Sequence, residues 1–146
     1  VEAAQMMASA LRRHGATDDI MPLTKAGTPY KGGYAHHPCT VWAGDSRANF
    51  MWLTQHAVAL CSEYLSRFNK VHACHGPILL MQRHYLIIDD SSMRSPLTTF
   101  AQAMPDEYRD DDVVKAYRAY YHSKTFAKWE KGRPAPDWWQ GVEVTA

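Results

Sequence analysis

Four groups of side chains in this sequence have types and spacings that chemistry can use. "HHPC" brings together His36, His37 and Cys39, and "HACH" brings together His72, Cys74 and His75. Imidazole and thiolate are what a tetrahedral Zn²⁺ takes, four at a time. Neither cluster has C-x-x-C or H-x₃-H spacing, and scattered His and Cys more often serve as polar or core residues, so no metal is assigned. Cys39, beside two histidines, is the one thiol placed for nucleophilic work, but no orienting partner marks it; Cys61 lies next to an apolar stripe and reads as inert. Near the C-terminus Lys124, Lys128, Lys131 and Arg133 interleave with Trp129, Trp138 and Trp139. Cations meet phosphates and rings stack on bases, so the mixture suits nucleic acid, although it equally describes a core lid under a solvated face. The acids at 110–112 weigh against DNA. Last comes Glu2, a lone carboxylate on the first helix.

The elements that must position these groups are mainly helical. Residues 1–14 carry Ala4, Met7, Ala8 and Leu11 at helical spacing, with Arg12, Arg13 and His14 in the last turn and Gly15 as the stop. No capping Ser, Thr, Asp or Asn precedes this helix, which suggests that the sequence starts inside it and that a native N-terminal segment is missing. Residues 15–44, rich in Gly and Pro, predict a long loop. Asp45 or Ser46 then caps a long amphipathic helix to about residue 68, with Phe50, Leu53, Ala57, Leu60, Tyr64 and Phe68 on its stripe. Residues 70–100 are ambiguous between strand, buried turn and short helix. "SPLTTFAQAMP" predicts a short helical turn ending before Pro105. A last helix runs from the acids at 110–112 to about 129–131, with Val113, Tyr117, Tyr120 and Lys124 on one stripe and Gly132 as its stop. The fold class is therefore all-α: a single domain of about three principal helices with long loops.

Bulk properties agree. A chain of 146 residues can bury a core without staples. Its formal net charge of +1 neither requires nor forbids a nucleic-acid partner. No apolar run approaches the ~20 residues that span a bilayer, so no membrane partner is expected. Three cysteines cannot all pair within one chain, which favours a reducing cytoplasm.

"EYLSRFN" at 63–69, "MPDEYRDD" at 104–111 and "RPAPDWW" at 133–139 occur in an order that resembles a family of small phage proteins. That family is in turn similar, more distantly, to the phage pyrimidine-dimer DNA glycosylases of the endonuclease V type. The resemblance implies a compact all-α domain. It matches Pro105, Glu107, Tyr108 and Arg109 to one glycosylase stretch and Arg133, Pro134, Trp138 and Trp139 to another. Glu2 falls at the place of the catalytic glutamate. Around Glu2 this chain has Val1, Ala3 and Gln5 where the glycosylases carry basic residues, which leaves the substrate open.

In that type of enzyme the nucleophile is the free N-terminal amine, which is partly neutral at pH 7 because its reference pKa is ~7.7–8.0. It attacks the sugar C1′, displaces the base and forms a Schiff base, while the carboxylate stabilises the cationic sugar and moves protons. The resemblance thus implies a glycosylase with abasic-site lyase activity on damaged or modified pyrimidines in phage or host DNA. It would work in the host cytoplasm on double-stranded DNA, without a cofactor. Glu2 would be the acid/base, and Arg12, Arg13, Lys124, Lys128 and Arg133 the phosphate contacts. Trp138 and Trp139 would stack or wedge, and His36 and His37 are further pocket candidates. The amine of Val1 is a poor nucleophile here, because it shares a helix with Glu2. The alternatives are a non-catalytic nucleic-acid-binding module on the same fold, a zinc-supported nucleotide-processing enzyme, and a virion protein that docks through its Trp-rich tail.

Overall fold

A computed structural model describes residues 1–89, 97–129 and 131–140. It is all-α, with five α-helices and no strand among those residues: α1 (Glu2–Arg13), α2 (Pro38–Gly44), α3 (Arg47–Phe68), α4 (His75–Gln82) and α5 (Val113–His122). No described helix is long and apolar enough to cross a membrane.

Helix α1 is the centre of the core. Ala and Met favour helix, and their small or flexible side chains let neighbours approach closely. The expected single stripe is too narrow: besides Ala4, Met7, Ala8 and Leu11, the side chains of Met6, Ser9 and Ala10 are buried too. Helices α2, α3 and α4 and the loop between α1 and α2 enclose it. That loop docks by its backbone. Ser9 Oγ donates to Gly33 O at 2.7 Å and accepts from Gly33 N at 2.8 Å. Gly32 sits against the same serine with φ +98°, and a Cβ there would overlap Ser9 Oγ. Gly15 ends the helix as expected, at φ +91°, with Gly15 N bonded to Arg12 O and Ala16 N to Leu11 O.

Helix α3 follows its prediction closely. Ser46 caps it by accepting from Asn49 N at 3.0 Å, and Asn69, left-handed at φ +50°, closes it. Its buried face is Phe50, Leu53, Thr54, Ala57 and Cys61, so the stripe turns away from Leu60 and Phe68, which are exposed.

The differences lie in the shorter elements. The predicted 15–44 loop ends in a helix. Pro38 occupies the first position of α2, where its missing N–H costs nothing, so this Pro starts a helix. The ambiguous stretch holds α4, whose Pro77 also lies within the first turn, followed by a 3₁₀ turn at Tyr85–Ile87. The described part of "SPLTTFAQAMP" is not helical; Ser95 and Pro96 lie outside the described residues. Its backbone is taken up by side chains of the core. Asn49, fully buried, accepts from Thr98 N at 3.0 Å and donates to Thr98 Oγ1 at 2.8 Å, while Trp42 Nε1 donates to Thr98 O. Helix α5 stops at His122, well short of the expected 129–131. Ser123 Oγ donates to Tyr120 O at 2.5 Å, an alternative to continuing the helix. The chain reverses later, at Lys131 (φ +65°) and Gly132 (φ +77°). The three predicted helices are thus all present, with α2 and α4 added. Helix α5 lies outside the main core; it buries Ala116 and packs on the 3₁₀ turn at Asp106–Tyr108.

Candidate nucleic-acid interface

The two His/Cys groups hydrogen-bond to their own backbone. His37 Nδ1 accepts from Cys39 N at 3.1 Å and caps α2, and His72 Nδ1 accepts from Cys74 N at 3.0 Å in the turn before α4. The His37 imidazole thereby satisfies a backbone N–H that its helix leaves unpaired. Among the described residues no three His, Cys, Asp or Glu side chains gather as metal ligands, so the geometry gives the zinc alternative no support. His36 is exposed. All three thiols are free, and burial pushes that of Cys61 up, away from reactivity. Cys39 does have a neighbour: its Sγ is 3.6 Å from Tyr117 Oη. That hydroxyl also donates to Ala101 O and accepts from Ala103 N at 3.3 Å. Burial raises the Tyr117 phenol to about 12, so it remains a neutral donor at physiological pH and pins the 101–103 backbone to α5.

The cations at the end of α1 are engaged within the protein. Arg12, with its side chain only 20% exposed, donates from Nε and Nη2 to Tyr30 O at 3.1 and 2.7 Å. Its Nη1 donates to Ala16 O at 2.9 Å, and Nη2 also meets Asp18 at 2.6 Å. Arg12, expected as a phosphate contact, thus clamps the 16–30 loop. Arg13 pairs with Asp45 and Val41 O, both at 3.1 Å, and is half-exposed. Glu2 is exposed at the start of α1.

The C-terminal residues do come together. Arg133 Nη2 meets Glu63 Oε2 at 2.7 Å, and Arg67 Nε meets Glu63 Oε1 at 2.8 Å. Arg133 and then Arg67 hold the Glu63 carboxyl below its usual range. Arg67 also lies over the ring of Trp129, 5.6 Å from its centroid. Trp129 meets Trp139 edge-on at 5.5 Å, and Trp138 packs on Tyr121 and His122 beneath Arg118. Trp138 and Trp139 are thus half-buried members of a ring cluster, not projecting wedges. The projecting ring is Phe126, 75% exposed, and no pattern in the sequence singles it out from the tryptophans. Lys124 Nζ lies 4.4 Å from the centroid of Tyr120 and 5.8 Å from that of Phe126, and Lys128 is exposed. The acidic run that weighed against this face serves to start α5. Asp112 caps the helix by accepting from Lys115 N, and Asp110 accepts from Asp112 N. None of the bonds or ring contacts joining the C-terminal residues includes Glu2, Arg12 or Arg13 among the described residues.

A shallow cleft of about 550 Å³ lies nearby, lined by Pro38, Phe100, Gln102, Arg109, Asp110 and Asp111. Arg109 belongs to the "PDEYR" stretch, but sequence spacing alone could not place it opposite Phe100.

Comparison of the chain with models of protein families, with curated proteins and with solved structures finds no match.

Proposed function

We propose that this chain acts on DNA, gripping it through the face made by α5 and residues 124–139. The observation that supports this best is Phe126. Its ring is three-quarters exposed and is flanked in the chain by Lys124 and Lys128. Cations against phosphates with a ring free to stack or insert are the parts a nucleic-acid surface needs. Behind them the Trp129–Trp139 cluster, tied to α3 through Arg67, Glu63 and Arg133, gives the surface a stiff backing.

The chemistry proposed for this face is base excision with cleavage at the abasic site, on damaged or modified pyrimidines of duplex DNA in the cytoplasm. Glu2 would move the protons, with an amine as nucleophile. A binding module without chemistry is the second reading. What favours it is that Glu2 is exposed at the start of α1.

Phe126→Ala tests the face. The expected result is a loss of about tenfold in affinity for a duplex with an unpaired or abasic position, the size of one stacking contact. Because Phe126 is so exposed, thermal stability should not change. Equal affinity of variant and wild type would remove Phe126 from the interface.

A further inference from the structure

The cleft beside α5 has walls that are already fixed. Gln102 Nε2 donates to Asp110 O at 2.6 Å, and Asp110 N donates back to Gln102 Oε1 at 3.1 Å. The Tyr117 hydroxyl holds the backbone on both sides of Gln102. Phe100 is braced by Trp42 and Trp52, with ring centroids 5.0 and 4.6 Å away.

Against these walls stand two charged groups with little to do. Arg109 is 56% exposed and meets only Asp106, through Nε at 3.5 Å, among the described residues. Asp111 is exposed and has no hydrogen bond or ion pair among them. An aromatic wall, a planar donor fork and an unpaired carboxylate complement a flat ligand with one accepting edge and one donating edge. The volume is within the ~300–1,000 Å³ of small-ligand sites.

Among the four DNA bases, guanine has both edges doubled. Its N7 and O6 accept a bidentate Arg, and its N1–H and amino group donate to a carboxylate. The donating edge is paired with cytosine inside a duplex, so the base must leave the stack to use it. We propose that this cleft receives one unstacked guanine, with Arg109 on N7 and O6, Asp111 on the N1–H and amino edge, and Phe100 against the ring. The proposal rests on the DNA reading and adds a base-specific pocket to it.

The test is fluorescence anisotropy of the whole chain with labelled duplexes carrying a single-nucleotide bulge of G, A, C or T, beside a fully paired duplex. Wild type should prefer the G bulge over the T bulge by about tenfold. Asp111→Ala should lose that preference while keeping its affinity for the paired duplex, and its exposed position protects the fold. Equal affinity for all four bulges would overturn the pocket and leave the DNA reading intact. A G preference that survives in Asp111→Ala would overturn the assignment to this cleft. Absence of binding to every duplex would overturn both.

Discussion

Replacing Arg12 with Ala is expected to destabilise the fold by about 3 kcal/mol, from the loss of several hydrogen bonds to a mostly buried guanidinium. Most of this comes from the carbonyls. Tyr30 O and Ala16 O lose charged donors at 2.7–3.1 Å. The ion pair with Asp18 adds little, because Asp18 is more than half exposed and already held by Lys31. For a domain of this size the cost corresponds to a fall in Tm of roughly 10 °C. Arg12→Lys should recover little, since a lysine cannot span Tyr30 O and Ala16 O with one planar fork. Arg13→Ala, half-exposed, should cost no more than about 0.5 kcal/mol. Thermal unfolding of the three variants checks this. A stable Arg12→Ala protein with weakened DNA affinity would return Arg12 to the role of a phosphate contact.

Glu2→Gln carries the largest expected effect on activity. In the proposed mechanism it should lower base release from ultraviolet-irradiated duplex by about 10²–10⁴-fold, the usual range for loss of an acid/base group. Duplex affinity should stay within about twofold, because phosphate contacts carry the affinity and the C-terminal face that makes them is untouched. Stability should fall by no more than about 0.5 kcal/mol, the worth of a carboxylate in the first turn of a helix. Base release assayed alongside binding separates the two readings. Unchanged release would take Glu2 out of the mechanism.

Helices α1 and α3 were legible because each carries a sustained helical period and a local stop, Gly15 and Asn69, and because Ser46 is a strong cap. Helices α2 and α4 were not, because a short helix gives periodicity too few residues to act on. The Pro in each first turn also looks like a breaker until its position is known. The end of α5 was overrun because Tyr117, Tyr120 and Lys124 keep the period past the residue where Ser123 turns back on Tyr120. The candidate site divided along the same line. The sequence showed that cations and rings gather near the C-terminus, but not which cations are neutralised. Arg133 is paired by Glu63, seventy positions away in the chain, and Arg12 by carbonyls of a loop. "HHPC" and "HACH" looked like ligands because imidazole and thiol are ligands; their hydrogen bonds to the next turn were invisible without the backbone.

The most direct test of the central claim is the affinity of the wild-type chain for a labelled duplex measured from 50 to 200 mM salt. Phosphate contacts by Lys124 and Lys128 predict a log–log slope of about −2, with binding tightest at low salt. Failure to bind at 50 mM salt with protein at ~100 μM, the weak end of ordinary non-specific DNA binding, would contradict the claim that this protein acts on DNA.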